Sequence, residues 1–286
     1  MRAIVLYRLL LLASVWGASF LFMRIAAPAL GFWWTAEIRG GLAGLALLAL
    51  LALSGKHLAW RKNWRSYMLI GGVGSAIPFV MYSYAALKIP AGYSAIVNST
   101  SPLWSVFLGL LFWKQAWSWR IFGGLLCGVA GVSLLVRLGP VALTVDVLIG
   151  IFCCLCATIC YAVAGEYTKR FSEGITPQMM TAGSQLGAAL FLLSPTLAFE
   201  PIPVHAPMHA LVAAAALALL CSALAYSLYF KILQEVGPVK TLTVAFLIPV
   251  FALFWSWLFL DEQITVSMVA GCALVVTAMA LVSYKK

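Results

Sequence analysis

"NSTSPLW", residues 98–104, sets four polar residues and a proline inside an apolar run long enough to cross a membrane. "FLIPVF", residues 246–251, sets another proline at the matching point of a run much later in the chain. A proline at position i removes one N–H and pushes away the carbonyl of residue i−4. Pro102 therefore frees the carbonyl of Asn98, and Pro249 frees that of Ala245. In hydrocarbon such a group is costly unless protein, a Ser or Thr hydroxyl, or water meets it. Ser94, Asn98, Ser101 and Ser105 follow at intervals of 4, 3 and 4, which puts them on one helical face. For Ser94 and Ser105 the plain reading is glue between membrane helices. For Asn98–Pro102, repeated at Ala245–Pro249, the spacing favours a broken helix lining a polar path, because irregular backbone at this depth belongs where it faces a cavity.

The composition makes the bilayer the solvent. Of 286 residues, 64% are hydrophobic and 9% charged, with a mean hydropathy of +1.04; a soluble domain carries about 25% charged residues. The net charge of +10 sits between apolar runs rather than on one basic face, which argues against nucleic acid. Five of the seven cysteines (Cys127, Cys153, Cys154, Cys156 and Cys160) lie in apolar stretches, as small buried residues do, and no disulfide framework is expected. The basic start "MRAIVLYR" opens an apolar run longer than the ~7–15 residues of a signal core, so it reads as a retained first helix.

Runs of ~20 apolar residues give ten spans: 5–24, 33–53, 66–87, 91–113, 118–137, 147–168, 178–198, 208–232, 239–260 and 264–283. Lys56, Arg61, Lys62, Arg65, Lys169, Arg170 and Lys231 fall on the side of the first residue, while only Arg24, Lys88 and Arg137 mark the other side. This bias predicts that both termini are cytoplasmic. A shift of 147 residues lays Pro102 on Pro249, Gly124 on Gly271, and Ser75, Phe79 and Tyr82 on Ser222, Tyr226 and Tyr229. A shift of 145 lays Trp16 on Tyr161 and Arg24 on Lys169. Five spans per copy is odd, so the second copy would cross upside down. The expected fold is all-α and polytopic, with ten transmembrane helices as two inverted five-helix repeats over 1–138 and 146–286. Inverted repeats are the mark of secondary transporters, whose substrate lies between the halves near the midplane.

Two five-helix halves, "VWGASFLFMR" in the first helix, Arg39 early in the second, the paired prolines and "LDEQITVSMVAGCALV" before the last helix resemble the drug/metabolite transporter superfamily. Within it the chain is similar to the EamA family, most closely to the YddG-type aromatic amino acid exporters. The resemblance covers the whole chain and implies export across a bacterial inner (cytoplasmic) membrane by a monomer. One position departs: the family's Glu at the last junction stands as Glu262, but its first-half counterpart is Gln115.

The aromatic residues allow two readings. Tyr and Trp belts at the membrane surface account for Trp33, Trp34, Trp60, Trp64 and Trp119. Trp16, Tyr82, Tyr161 and Tyr226 lie one or more turns deeper, where a hydroxyl wants a partner and a cavity provides one. Ionisable residues within the spans are few. Glu37 and Arg39, two apart, point to different faces, and Arg39 is expected to meet a polar helix end in a structural role. Cavity-facing Lys or Arg, as phosphate recognition would need, are not evident. The substrate pathway expected is Trp16, Ser75, Phe79, Tyr82, Ser94, Asn98, Ser101, Pro102, Tyr161, Ser222, Tyr226, Tyr229, Ala245 and Pro249. Such a path suits a neutral or zwitterionic small molecule, first an aromatic or large neutral amino acid. Other metabolites, cationic drugs, and (less favoured) sugar phosphates or nucleotide sugars are the alternatives. No enzyme is expected: His57, His205 and His209 fall in or beside loops, and "GGVGSA" (71–76) lacks a phosphate-binding context. Cys153, Cys156 and Cys160 share a face but read as packing rather than a metal site. No cofactor is expected.

Overall fold

The computed structural model describes residues 3–112, 118–138, 141–171, 173–241 and 243–283; Gln115 lies outside them. All the regular structure of the described residues is helical: α1 (Ala3–Leu30), α2 (Phe32–Leu53), α3 (Trp60–Lys88), α4 (Ala91–Phe112), α5 (Trp119–Leu138), α6 (Val145–Phe171), α7 (Pro177–Phe199), α8 (Met208–Gly237), α9 (Val244–Leu260) and α10 (Val266–Ser283). Seven of these (α1–α4 and α6–α8) are long and apolar enough to cross a membrane, and α5, α9 and α10 are shorter apolar helices.

The polarity of α7 identifies its solvent. It turns Leu190, Phe191, Leu193 and Leu197 outward and buries Thr181, Ser184, Gln185 and Thr196. A helix in water would do the reverse. In lipid the apolar face gains nothing by burial, so helices associate through small residues that let backbones approach. Gly71 of α3 shows this: a methyl group there would meet the Ser184 carbonyl of α7 at 2.5 Å and the Ala188 amide at 2.7 Å. Gly131 of α5 packs nearly as closely on α10, 2.9 Å from the Gly271 carbonyl by the same measure. The main pairings are α2 with α7, α3 with α6 and α7, α1 with α8 and α9, and α5 with α10. The largest buried cluster lies among α1, α3, α4, α6, α9 and α10, with Leu135 of α5 and Leu217 and Cys221 of α8.

The opening heptapeptide breaks α4. The helix stops at Asn98, turns through Ser99 and Thr100, and resumes at Ser101. Three consecutive hydroxyls meet three carbonyls: Ser99 donates to Ala95 (3.0 Å), Thr100 to Val97 (2.7 Å) and Ser101 to Asn98 (2.7 Å). Pro102 then falls in the first turn of the new segment, where its missing N–H is harmless. Pro249 behaves differently from the expectation of a second break, since α9 runs through it without interruption. Its neighbours Leu247, Ile248 and Val250 have no hydroxyls for freed carbonyls, so giving up one bond inside a continuous helix costs less than a turn.

Two further irregularities match across the chain. Gly72–Ala76 in α3 and Leu219–Leu224 in α8 are π-helical, and the shift of 147 residues superposes them. They hold Ser75 and Ser222 respectively, and such bulges are frequent at functional sites.

One end of the bundle is held by cross-helix ties. Glu200, just past α7, accepts the Phe32, Trp33 and Trp34 amides at 3.1, 3.1 and 3.2 Å and so caps α2. Gly31 precedes these amides with φ 84°, a conformation that favours glycine, and any side chain there would strike the Glu200 carboxylate. Glu262 accepts the Ala91 amide at the start of α4 (3.0 Å), and Arg24 lies 3.9 Å from the same carboxylate while donating to the Ala86 carbonyl. Lys88 pairs with Asp146 at 3.1 Å. At the opposite end, Arg8 of α1 pairs with Glu235 of α8.

Candidate functional site

Residues that the sequence places far apart converge where α1, α2, α3, α4, α6 and α8 meet. Tyr82 is 2% exposed, and its hydroxyl donates to Asn98 Oδ1 at 2.8 Å, directly before the break in α4. Its ring stacks on Tyr161 of α6 (centroids 6.1 Å) and meets Phe20 of α1 edge-on (5.7 Å). Trp16, one turn back along α1, contacts Tyr226 at 6.2 Å and Tyr229 at 5.6 Å on α8. These are two linked aromatic groups, one formed with each bulged helix. Tyr161, Tyr226, Tyr229, Trp16 and Asn98 are half-buried, whereas Ser75, Phe79 and Tyr82 are buried. Along α1, α6 and α8 the half-buried members lie toward the Arg8–Glu235 end, away from the Glu200 and Glu262 ties.

Arg39 of α2 is at the centre of this arrangement. Its Nε donates to Ser222 Oγ at 3.2 Å, one terminal nitrogen approaches Met23 Sδ at 3.7 Å, and the guanidinium lies 3.9 Å over the Phe79 ring. Through Phe79 and Ser222, Arg39 sits one helical turn from Tyr82 and Tyr226. Among the described residues no carboxylate pairs with it. A cation deep in a membrane helix costs about 2.5–3.5 kcal/mol on insertion scales, and its cation–π contact recovers only part of that, about 2 kcal/mol when desolvated. The expected partner at a helix end is thus replaced by a bulge serine and an aromatic face in mid-helix.

Gln185 of α7, which sequence reasoning missed, does the related work in the other half. Its Nε2 donates to Ser75 Oγ at 3.0 Å, and both residues are buried. Arg39 and Gln185 are 146 positions apart, and the serines they hold are 147 apart. The second helix of each half therefore reaches the bulged helix of the other. The shared offset was the available signal.

The remaining expected residues are more peripheral. Ser94 is buried and accepts from the Cys154 thiol at 3.6 Å. Ser101 and Pro102 serve the local break, with Ser105 bonded back to the Ser101 carbonyl at 3.4 Å. Ala245 and Pro249 belong to α9, whose stretch around Ile248 and Ala252 packs on Gly17 of α1, and the ring contacts and hydrogen bonds above do not involve them.

A bundle of apolar helices with polar and aromatic side chains gathered at its centre defines an integral membrane protein. The model of the EamA-like transporter family matches residues 3–137 and again 148–284, and the chain belongs to that family. It is 28% identical to Protein PecM of Dickeya dadantii over 94% of this chain and 88% of that protein. It is 27% identical to the uncharacterized transporter YvbV of Bacillus subtilis, over 96% and 90%. The S-adenosylmethionine/S-adenosylhomocysteine transporter of Chlamydia trachomatis is 23% identical over 94% and 88%. A crystal structure superposes with a TM-score of 0.68 at 19% identity, covering 98% of this chain and 96% of that one, and so shares the fold. The protein is a membrane transporter.

Proposed function

We propose that this transporter exports small neutral or zwitterionic metabolites, first among them aromatic or large neutral amino acids, across a bacterial inner membrane. The ten helices act as two inverted five-helix repeats over 1–138 and 146–286, with both termini cytoplasmic and one chain forming the pathway. The substrate rests among Trp16, Tyr82, Asn98, Tyr161, Ser222, Tyr226 and Tyr229, and access alternates between the two ends. On this orientation the Glu200 and Glu262 ties close the outer end, and the half-buried tyrosines face the cytoplasm.

The observation that carries the reading is the convergence of the aromatic group with the Asn98 break and the two bulge serines. Aromatic walls bind a bulky apolar side chain, and a few placed polar groups orient its backbone end. The deep position of these tyrosines sets them apart from a surface belt. A second reading is favoured by the Chlamydia trachomatis relative: a purine nucleoside carrying an amino acid would present the same aromatic face and the same zwitterion.

Proteoliposomes loaded with unlabelled solute test both. Labelled tryptophan should accumulate transiently by counterflow and be recovered chemically unchanged, with phenylalanine competing. Counterflow with S-adenosylmethionine and none with the amino acids would replace the first reading by the second. Uptake no faster than into loaded, protein-free liposomes for every solute would remove both.

A further inference from the structure

We propose that Arg39 anchors the substrate's carboxylate, so that the transporter selects solutes carrying one and rejects amines lacking it. This rests on the proposed pathway through the aromatic site and names the group that its polar end recognises.

The two halves supply an internal comparison. Each uses a side chain from its second helix to hold a bulge serine of the opposite half: Gln185 on Ser75 at 3.0 Å, and Arg39 on Ser222 at 3.2 Å. The neutral amide shows that the tie itself needs only a hydrogen-bond donor. The positive charge at 39 is surplus to it, and charge is the costly part of an arginine in a membrane helix. Arg39 is 7% exposed, and its nearest companions are a hydroxyl, a thioether and a ring, none of which carries a negative charge. Its five N–H groups form a planar fork suited to a carboxylate, and the Ser222 contact uses one of them. The two residues it touches on α3 and α8, Phe79 and Ser222, lie one turn from Tyr82 and Tyr226, which would receive an aromatic side chain. A bound carboxylate would complete the pair that the described residues leave open, while an ammonium group alone would be repelled. Cationic drugs are disfavoured on the same ground.

The test compares tryptophan with tryptophanamide and with indole-3-propionate in counterflow by wild-type, Arg39→Gln, Arg39→Lys and Ser222→Ala proteins. Arg39→Gln copies the Gln185 arrangement, keeping a donor for Ser222 while losing the charge. Wild type should favour tryptophan over its amide by about tenfold or more, the range for a charge-assisted hydrogen bond, and indole-3-propionate should compete. Ser222→Ala should lower both fluxes yet keep the ratio, Arg39→Lys should retain part of it, and Arg39→Gln should bring it to about one, a change of ratio that a purely structural arginine would not give. Equal transport of acid and amide by the wild type overturns the proposal and leaves the transport reading standing; this arm holds even if Arg39→Gln does not fold. Full selectivity in a folded Arg39→Gln protein also overturns it. Failure of the wild type to move any of the three solutes removes the proposal together with the amino acid reading.

Discussion

Replacing Glu200 with alanine takes away the acceptor for three consecutive amides at the start of α2, those of Phe32, Trp33 and Trp34. Hydrogen bonds to a charged group contribute about 1.5–3 kcal/mol each when taken singly. These three share one carboxylate and one desolvation cost, and water at the helix end replaces part of the loss. The favourable charge at a helix N-terminus is itself about 0.3–1 kcal/mol in exposed settings. Together they set the local effect at about 2–3 kcal/mol. By hydrogen exchange on the protein in lipid nanodiscs, the amides of 32–34 should exchange about 30- to 150-fold faster, at tenfold per 1.4 kcal/mol. Glu200→Gln keeps one oxygen at the same place without the charge and should accelerate exchange roughly five- to tenfold, for a loss of about 1–1.5 kcal/mol. Because the cap joins the end of α7 to the start of α2, the closed end should also loosen, raising exchange there but leaving the Arg8–Glu235 end unchanged. Exchange at 32–34 that stays within a factor of about two in Glu200→Ala would refute the reasoning, since that equals less than about 0.5 kcal/mol.

Tyr82→Phe removes the hydroxyl that reaches Asn98 and should cost about 1 kcal/mol, seen as a lower thermal unfolding temperature, with slower counterflow; an unchanged flux would detach this bond from the pathway. Gly71→Ala drives a methyl group into α7 backbone at Ser184, Gly187 and Ala188, so α3 and α7 must separate at a cost of about 1–3 kcal/mol. Gly165→Ala meets nothing within 4 Å, and should instead stabilise α6 by up to about 1 kcal/mol through helix propensity. Unfolding scans of the two glycine variants should therefore shift in opposite directions.

Span positions were legible because lipid imposes a length and an apolar composition on each helix, and the expected 91–113 and 208–232 differ from α4 and α8 by a few residues. The pairing of Tyr82 with Asn98 was partly legible, since both stood on polar or aromatic faces, but nothing local said that those faces touch. The break at Asn98 followed from the run of hydroxyls around Pro102, and the continuity of α9 shows that a proline alone does not make one. Arg39 and Gln185 were hard to place because each contact joins α2 to α8 or α7 to α3, a choice fixed by helix pairing rather than periodicity. Nothing local in the sequence ties the carboxylates of Glu200 and Glu262 to a helix start. Their capping of α2 and α4 needs a chain approach that only the folded backbone supplies. The π-helical turns were hidden in "GGVGSA" and "LLCSAL", whose composition suits plain helix packing equally well.

The solute path is tested most directly at residue 98. With the seven native cysteines replaced, a protein carrying Asn98→Cys would be treated in proteoliposomes with a membrane-impermeant thiol reagent, with and without saturating tryptophan. Water reaching a site between the two halves predicts rapid modification that tryptophan slows. Labelling only by a lipid-soluble maleimide, at a rate indifferent to every solute, would put that side chain among lipid tails and contradict a central path.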